Sequence, residues 1–323
     1  MNRLIIVLIS TFSIAFTIGK YFDHLYKKKW QDFFFDKIQT ALSNSDEYDI
    51  LFIGNSKIHS GINPWYVDSI THLSSYNLAI GGGDEQEIKL LSTLYLQKHH
   101  APKVVVFGID GPMLQNYHGL KDRYPFLYFL NNDTVAGYMK KNGFPTTIIK
   151  YFPFIKYSFF DEYNRISIVS KNIYTPESKY SFFKGFINAF PDPSFFEVDS
   201  TKKQPFSLGI LPQPQKINDT SAATIKQITE IFMKKGTRMI FLFLPGKNNT
   251  LHDKINDKSI FDSFFLSVAA EYKIPVMRLD TSSVYLPKYF ADNFHVNMSG
   301  SKLLSIDVSN FILENITQNK KLP

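Results

Sequence analysis

The sequence predicts an α/β protein: a three-layer α/β/α domain on a mostly parallel sheet, with an N-terminal transmembrane helix before it and an aromatic-rich insertion within it. Three observations carry that prediction. Short apolar runs alternate with helical patterns along the chain, which is the signature of βαβ units. One long segment breaks the alternation. The first twenty residues are almost free of charge.

Taken in order, Leu4 to Gly19 is an unbroken run of apolar or small residues behind Asn2-Arg3, closed by Lys20. Tyr21 and Phe22 can extend it to a membrane interface. No Ala-x-Ala-like cleavage site follows, so residues 1–20 read as an uncleaved signal anchor. A count of positive charges, with Lys20 and Lys27 to Lys29 after the span, would keep the bulk of the chain in the cytoplasm. A single anchor on a soluble domain usually places that domain outside, and an extracytoplasmic domain is the expectation here. Residues 21–47 read as a juxtamembrane segment, with an amphipathic helix from Tyr21 to Leu42 that has Phe33, Phe34 and Ile38 on one side.

The main domain is expected over residues 48–323. Tyr48 to Gly54, Tyr76 to Ile80, Lys103 to Phe107, Arg238 to Leu244 and Pro275 to Leu279 are apolar runs of strand length. Helical patterns occupy Asp84 to His100, Ser221 to Lys235, Ser259 to Tyr272 and Ser299 to Ile316. In such a sheet the ligand site belongs at the carboxyl ends of the strands. Met113 to about Gln215 is dense in Phe, Tyr, Pro and Lys and reads as a cap or substrate-binding insertion.

Composition excludes several functions. The 36 basic residues exceed the 29 acidic ones by only a modest surplus, and the Lys are scattered with no Arg-rich helix, so no nucleic-acid partner is expected. Absence of cysteine removes disulfides, thiolate metal ligands and a Cys nucleophile. No His-x-x-x-His pattern or carboxylate cluster suggests a metal, and no cofactor is expected.

Ile53-Gly54-Asn55-Ser56 places a Ser directly after a strand and a Gly, where a strand-to-helix turn presents its hydroxyl. A Ser hydroxyl needs a base to become a nucleophile. Asp292 and His295 lie three apart, so the carboxylate can hold one imidazole nitrogen while the other accepts the Ser proton. Gly81-Gly82-Gly83 ends a strand and opens a helix, where backbone N–H groups can approach a developing oxyanion. A phosphate cradle is the alternative for that loop, but no Gly-Lys-Ser/Thr follows it. Asn55, Gly83, Gly108 and Asp110 are candidate pocket residues, with Lys57 and His118 beside them. His59 is expected on the pocket rim or in solvent, and His99-His100 at a helix end where a cation suits the dipole.

With these residues in place the chain resembles the SGNH (GDSL-like) hydrolase superfamily, whose four sequence blocks fall in order across the soluble part. The resemblance implies Ser56 as nucleophile, His295 as general base and acid, Asp292 as its orienting carboxylate, and the Ser56 and Gly82 amides as the oxyanion hole. Asn297 and Gly300 fit the continuation of the last block. One block departs: where the family has Gly-x-Asn-Asp, this chain has Gly108-Ile109-Asp110-Gly111. Ile109 cannot donate from its side chain, and loss of one oxyanion donor costs on the order of 3 kcal/mol.

The anchor, the Gly54 to Pro64 continuation and the altered third block are similar to membrane-anchored proteins that process envelope polymers, of the D-alanyl-transfer or polysaccharide O-acetylation type. This resemblance implies an acyl-ester hydrolase or O-acyltransferase acting on an acylated ester or polysaccharide, beside a multi-spanning membrane acyltransferase. A polymer-binding or assembly protein that keeps the fold without catalysis is the other reading, favoured by Ile109 and disfavoured by the complete Ser56, Asp292 and His295 set.

Overall fold

Five parallel strands form the central sheet: β1 (Ile50–Ile53), β2 (Ser75–Asn77), β3 (Val104–Ile109), β6 (Arg238–Phe243) and β7 (Val276–Arg278), in the order β2-β1-β3-β6-β7. The computed structural model describes residues 2–30, 34–43, 46–114, 124–160, 182–188, 217–247 and 258–317. Phe33, His118 and parts of the insertion lie outside them. All five expected strands are present, each within a few residues of its apolar run. Register is set by in-line pairing such as Leu51 with Val105 and Val105 with Met239.

Alternation along the strands sorts the helices into two layers. Leu51, Ile53, Val105, Phe107, Met239 and Phe241 point to one face. They are covered by α2 (Asp36–Leu42), α5 (Glu85–Lys98), α8 (Asp219–Met233) and α9 (Lys258–Tyr272). Ile50, Phe52, Val104, Val106, Ile240 and Leu242 point to the other, under the four-residue α3 (Ser56–His59), α4 (Pro64–Thr71) and α10 (Met298–Thr317). Burial on both faces explains why the strands read as continuous apolar runs rather than alternating ones.

At the N-terminus, α1 (Asn2–Trp30) contains Arg3–Leu25, which is long and apolar enough to cross a membrane. In the juxtamembrane segment, α1 extends to Trp30 and α2 brings Phe34 and Ile38 into the core against the sheet. The apolar side chains of Phe34 and Ile38 are thus accounted for by packing on the domain. Within the insertion stand α6 (Asp133–Lys141), α7 (Thr146–Tyr151), a 3-10 helix over Pro153–Phe159 and a small hairpin of β4 (Phe182–Phe183) and β5 (Phe186–Ile187).

Candidate active site

The strand order reverses between β1 and β3, and open α/β sheets bind ligands outside the carboxyl ends of strands at that reversal. Gly54 directly follows β1, and Gly108 is the penultimate residue of β3. Gly54 has φ +148, and a Cβ on it would come within 2.9 Å of Ile58 and 3.0 Å of the Gly108 carbonyl. Only glycine makes this turn without displacing its neighbours. Asn55 then caps α3, its side chain accepting from the Lys57 amide at 3.1 Å. Ser56 is therefore the first helical residue beyond β1, with its hydroxyl at the sheet's carboxyl edge.

His295 reaches that hydroxyl from the far end of the chain. The turn that carries it is closed by Ala291 N–H to the His295 carbonyl and by Asn297 N–H to the Tyr289 carbonyl, both 2.9 Å. Asn297 is buried and bonds both the Lys288 carbonyl and the Gly300 amide, which seats the turn on α10. Asp292 Oδ1 accepts the amides of Phe294 and His295 at 2.7 Å each, and Oδ2 lies 2.8 Å from His295 Nδ1. Burial pushes the Asp292 carboxyl up, but the His295 hydrogen bond and the two amides outweigh it and hold the group below its ordinary value. An ionised carboxylate only accepts, so Nδ1 carries the proton, and in the neutral ring Nε2 is left to accept. Ser56 Oγ lies 2.8 Å from that Nε2.

The glycine loop lies beside this line. It follows β2, the neighbour of β1, and Ile80 N–H donates to the Gly54 carbonyl at 3.0 Å. Gly82 has φ +73 and is exposed, with open space where a Cβ would stand, whereas Gly83 packs closely on Ile80. Asp84 ends the loop as N-cap of α5 in a capping box with Glu87, an arrangement worth about 1 kcal/mol. Among the described residues neither the Ser56 nor the Gly82 amide donates to a protein acceptor.

Two buried side chains, His59 and Lys37, support the loop from beneath. His59 is buried rather than on the rim or in solvent, because α3 is a single turn that tucks under the loop. Its Nδ1 stands 3.2 Å from where a Gly81 Cβ would be. Burial, and then the charges of Lys37 and His295, hold its pKa well below the usual histidine range. Lys37 of α2 is fully buried and donates to the carbonyls of Asn77, at 2.7 Å, and Ala79, on the stretch that enters the loop. Burial pulls its pKa well down, with Asp36 opposing. Sequence reasoning missed Lys37, although Phe34, Lys37, Ile38 and Ala41 follow the i, i+3, i+4, i+7 spacing of a buried face.

In the altered third block, Ile109 packs into the core. Asp110 turns to the site, accepting from Asn55 Nδ2 at 3.2 Å and pairing with Lys57 Nζ at 3.0 Å. The space beside Gly108 is filled by Ile58 and Leu244, so that glycine lets α3 pack closely on β3. His99 stacks on Tyr95 and bonds the Thr40 carbonyl, joining α5 to α2, while His100 is exposed beside Glu47.

No protein-family model matches the chain, and no curated protein matches it. Solved structures do. A candidate acylhydrolase from Bacteroides fragilis NCTC 9343 is 12% identical with a TM-score of 0.41, covering 90% of this chain and 96% of its own. A lipase/acylhydrolase from Enterococcus faecalis is 11% identical with a TM-score of 0.39, over 82% and 95%. A candidate platelet activating factor from Streptococcus pneumonia is 11% identical with a TM-score of 0.42, over 92% and 98%.

Proposed function

We propose that the chain is a serine-nucleophile acyl-ester hydrolase or O-acyltransferase working through a covalent acyl-enzyme. The observation that carries this reading is the unbroken line from Asp292 through His295 to Ser56, with 2.8 Å at each step. Ser56 Oγ attacks an ester carbonyl as its proton passes to His295 Nε2. Amides of Ser56 and Gly82 receive the oxyanion, and His295 returns the proton to the departing alkoxide. The acyl-Ser56 ester is then attacked by water or by an acceptor hydroxyl deprotonated by His295, and Ser56 is regenerated.

Helix α1 anchors the protein by a single pass, with the domain on the extracytoplasmic side. In this reading the acceptor or substrate is an envelope polysaccharide or polymer, and a multi-spanning membrane acyltransferase works beside it. Support for transfer comes from the combination of anchor, Gly54 to Pro64 continuation and altered third block.

Incubating the purified protein with an activated acetyl ester, with and without oligosaccharide, separates the two outcomes of the acyl-enzyme. Transfer predicts acetylated oligosaccharide and reduced free acetate. Acetate release unchanged by the acceptor identifies a hydrolase. A protein that turns over no ester at all in either condition is the polymer-binding alternative, which Ile109 in place of a donor favours.

A further inference from the structure

The apolar helix α1 does not stand alone. The 3-10 helix Pro153–Phe159 of the insertion packs against it, and α7 packs in turn on that 3-10 helix. Phe12 in the middle of α1 meets the rings of Phe152 and Phe154 edge-on, at centroid distances of 5.8 and 6.0 Å. Gly19 permits the approach: a Cβ there would lie 3.0 Å from Phe154 Cβ. Small residues allow such close passage between membrane segments.

Asp23 is the one carboxylate in Arg3–Leu25, and the same segment neutralises it. Lys156 Nζ lies 2.7 Å from Asp23 Oδ1, with its side chain buried, and the Tyr157 hydroxyl also bonds Asp23. Outward from these contacts, Ile148 is 49% and Tyr151 74% exposed, and Phe152 is exposed as well. The result is an apolar surface continuous with the exposed apolar face of α1.

From this we infer that Thr146–Phe159 is a second membrane-embedded element, inserted beside α1 into the leaflet next to the domain, with lipid acyl chains covering Ile148, Tyr151 and Phe152. The inference rests on the reading of α1 as a membrane span. With Asp23 at the headgroup level, Gly19 lies about 6 Å and Phe12 about 17 Å further in along the helix. The hydrocarbon core is about 30 Å thick, so rings held between those levels lie inside one leaflet. The backbone satisfies the bilayer's demand for internal hydrogen bonding: Ile149 N–H bonds the Pro145 carbonyl, Phe152 N–H the Ile148 carbonyl and Ile155 N–H the Phe152 carbonyl. Lys150 is exposed, and its long stem can carry the ammonium to the interface. The insertion is thereby fixed at the membrane surface.

Because the chain contains no cysteine, a single introduced thiol carries a single nitroxide label. The full-length protein is reconstituted in phosphatidylcholine vesicles as Ile148→Cys or Tyr151→Cys, with Ile14→Cys as reference in the span and Val284→Cys as reference on the domain. Spin-label accessibility to oxygen and to a water-soluble nickel chelate is then compared. The inference expects labels at 148 and 151 to match Ile14→Cys, with oxygen favoured over nickel. Nickel accessibility like that of Val284→Cys, while Ile14→Cys remains in lipid, would overturn the inference and leave the span intact. Exclusion of both reagents would overturn it too, in favour of a protein partner or second copy covering the segment. A label at Ile14 exposed to nickel would remove the span and the inference together.

Discussion

Lys57 Nζ and Asp110 Oδ2 form an ion pair 3.0 Å apart with each side chain only 8% exposed, linking the residue after Ser56 to the residue after β3. Removing one member of a buried pair leaves the other charge unpaired, at a cost of about 3–5 kcal/mol, whereas removing both is far milder. Asp110→Asn is therefore expected to lower stability sharply, and adding Lys57→Met to recover a large part of the loss. Denaturant midpoints of wild type and the two variants in detergent check this. A loss below about 1 kcal/mol in Asp110→Asn, the range of exposed pairs, would show that the pair is solvated.

Asp292 gives a dependence at acid pH. Burial raises its pKa, and the His295 hydrogen bond and two amides lower it further than burial raises it, so the folded value lies below the unfolded one of about 3.9. A depressed acid stabilises the fold above its unfolded pKa, and that contribution is lost as pH falls through the folded pKa. The stability difference between wild type and Asp292→Asn should therefore be largest at neutral pH and shrink below about pH 4. Unfolding midpoints measured across that range give the comparison, and a difference that stays constant into acid counts against the linkage.

His59 acts in the opposite region of the scale. Its folded pKa is held far down by burial and by Lys37 and His295, while the unfolded chain titrates near 6.5. Below about 6.5 the unfolded state binds the extra proton, so stability rises with pH up to that value and falls as the solution is acidified. His59→Gln removes the titration. Its unfolding midpoint should change less than that of wild type between about pH 7.5 and pH 5.5, and equal changes would contradict a neutral buried His59.

Gly108 tests the packing that places Ser56. A Cβ there would lie 2.1 Å from Ile58 Cγ1, so Gly108→Ala should cost about 1–3 kcal/mol by overpacking α3 against β3. Ile58→Ala, which removes the clashing Cγ1, should therefore cost less in the Gly108→Ala background than in wild type in thermal unfolding. Stability unchanged by Gly108→Ala would mean that α3 shifts freely.

The parallel sheet was legible because its strands are buried on both faces, which leaves an apolar run such as Val104 to Phe107 with little else to be. Ser56, Asp292 and His295 could be named because Gly-Asn-Ser, the glycine loop and Asp-x-x-His, each weak alone, occur together in the order of one superfamily's blocks, and the structure brings the three residues into hydrogen-bonding contact. Lys37 and His59 were beyond reach for a different reason. A polar residue on an apolar helical face reads as solvated until the tertiary partner is known, and for Lys37 those partners are carbonyls 40 and 42 residues away. In the juxtamembrane segment the apolar side of Phe34 and Ile38 does not by itself say whether sheet or membrane covers it, and the sheet does.

Labelling with a fluorophosphonate tests most directly whether Ser56 is an activated nucleophile. The folded wild type should be labelled at Ser56, Ser56→Ala should not be labelled, and His295→Ala, lacking the base 2.8 Å from the hydroxyl, should label slower by a factor on the order of 10²–10⁴. A folded wild type that takes up no probe, or a Ser56→Ala variant labelled as readily as wild type, would contradict the proposed acyl-enzyme.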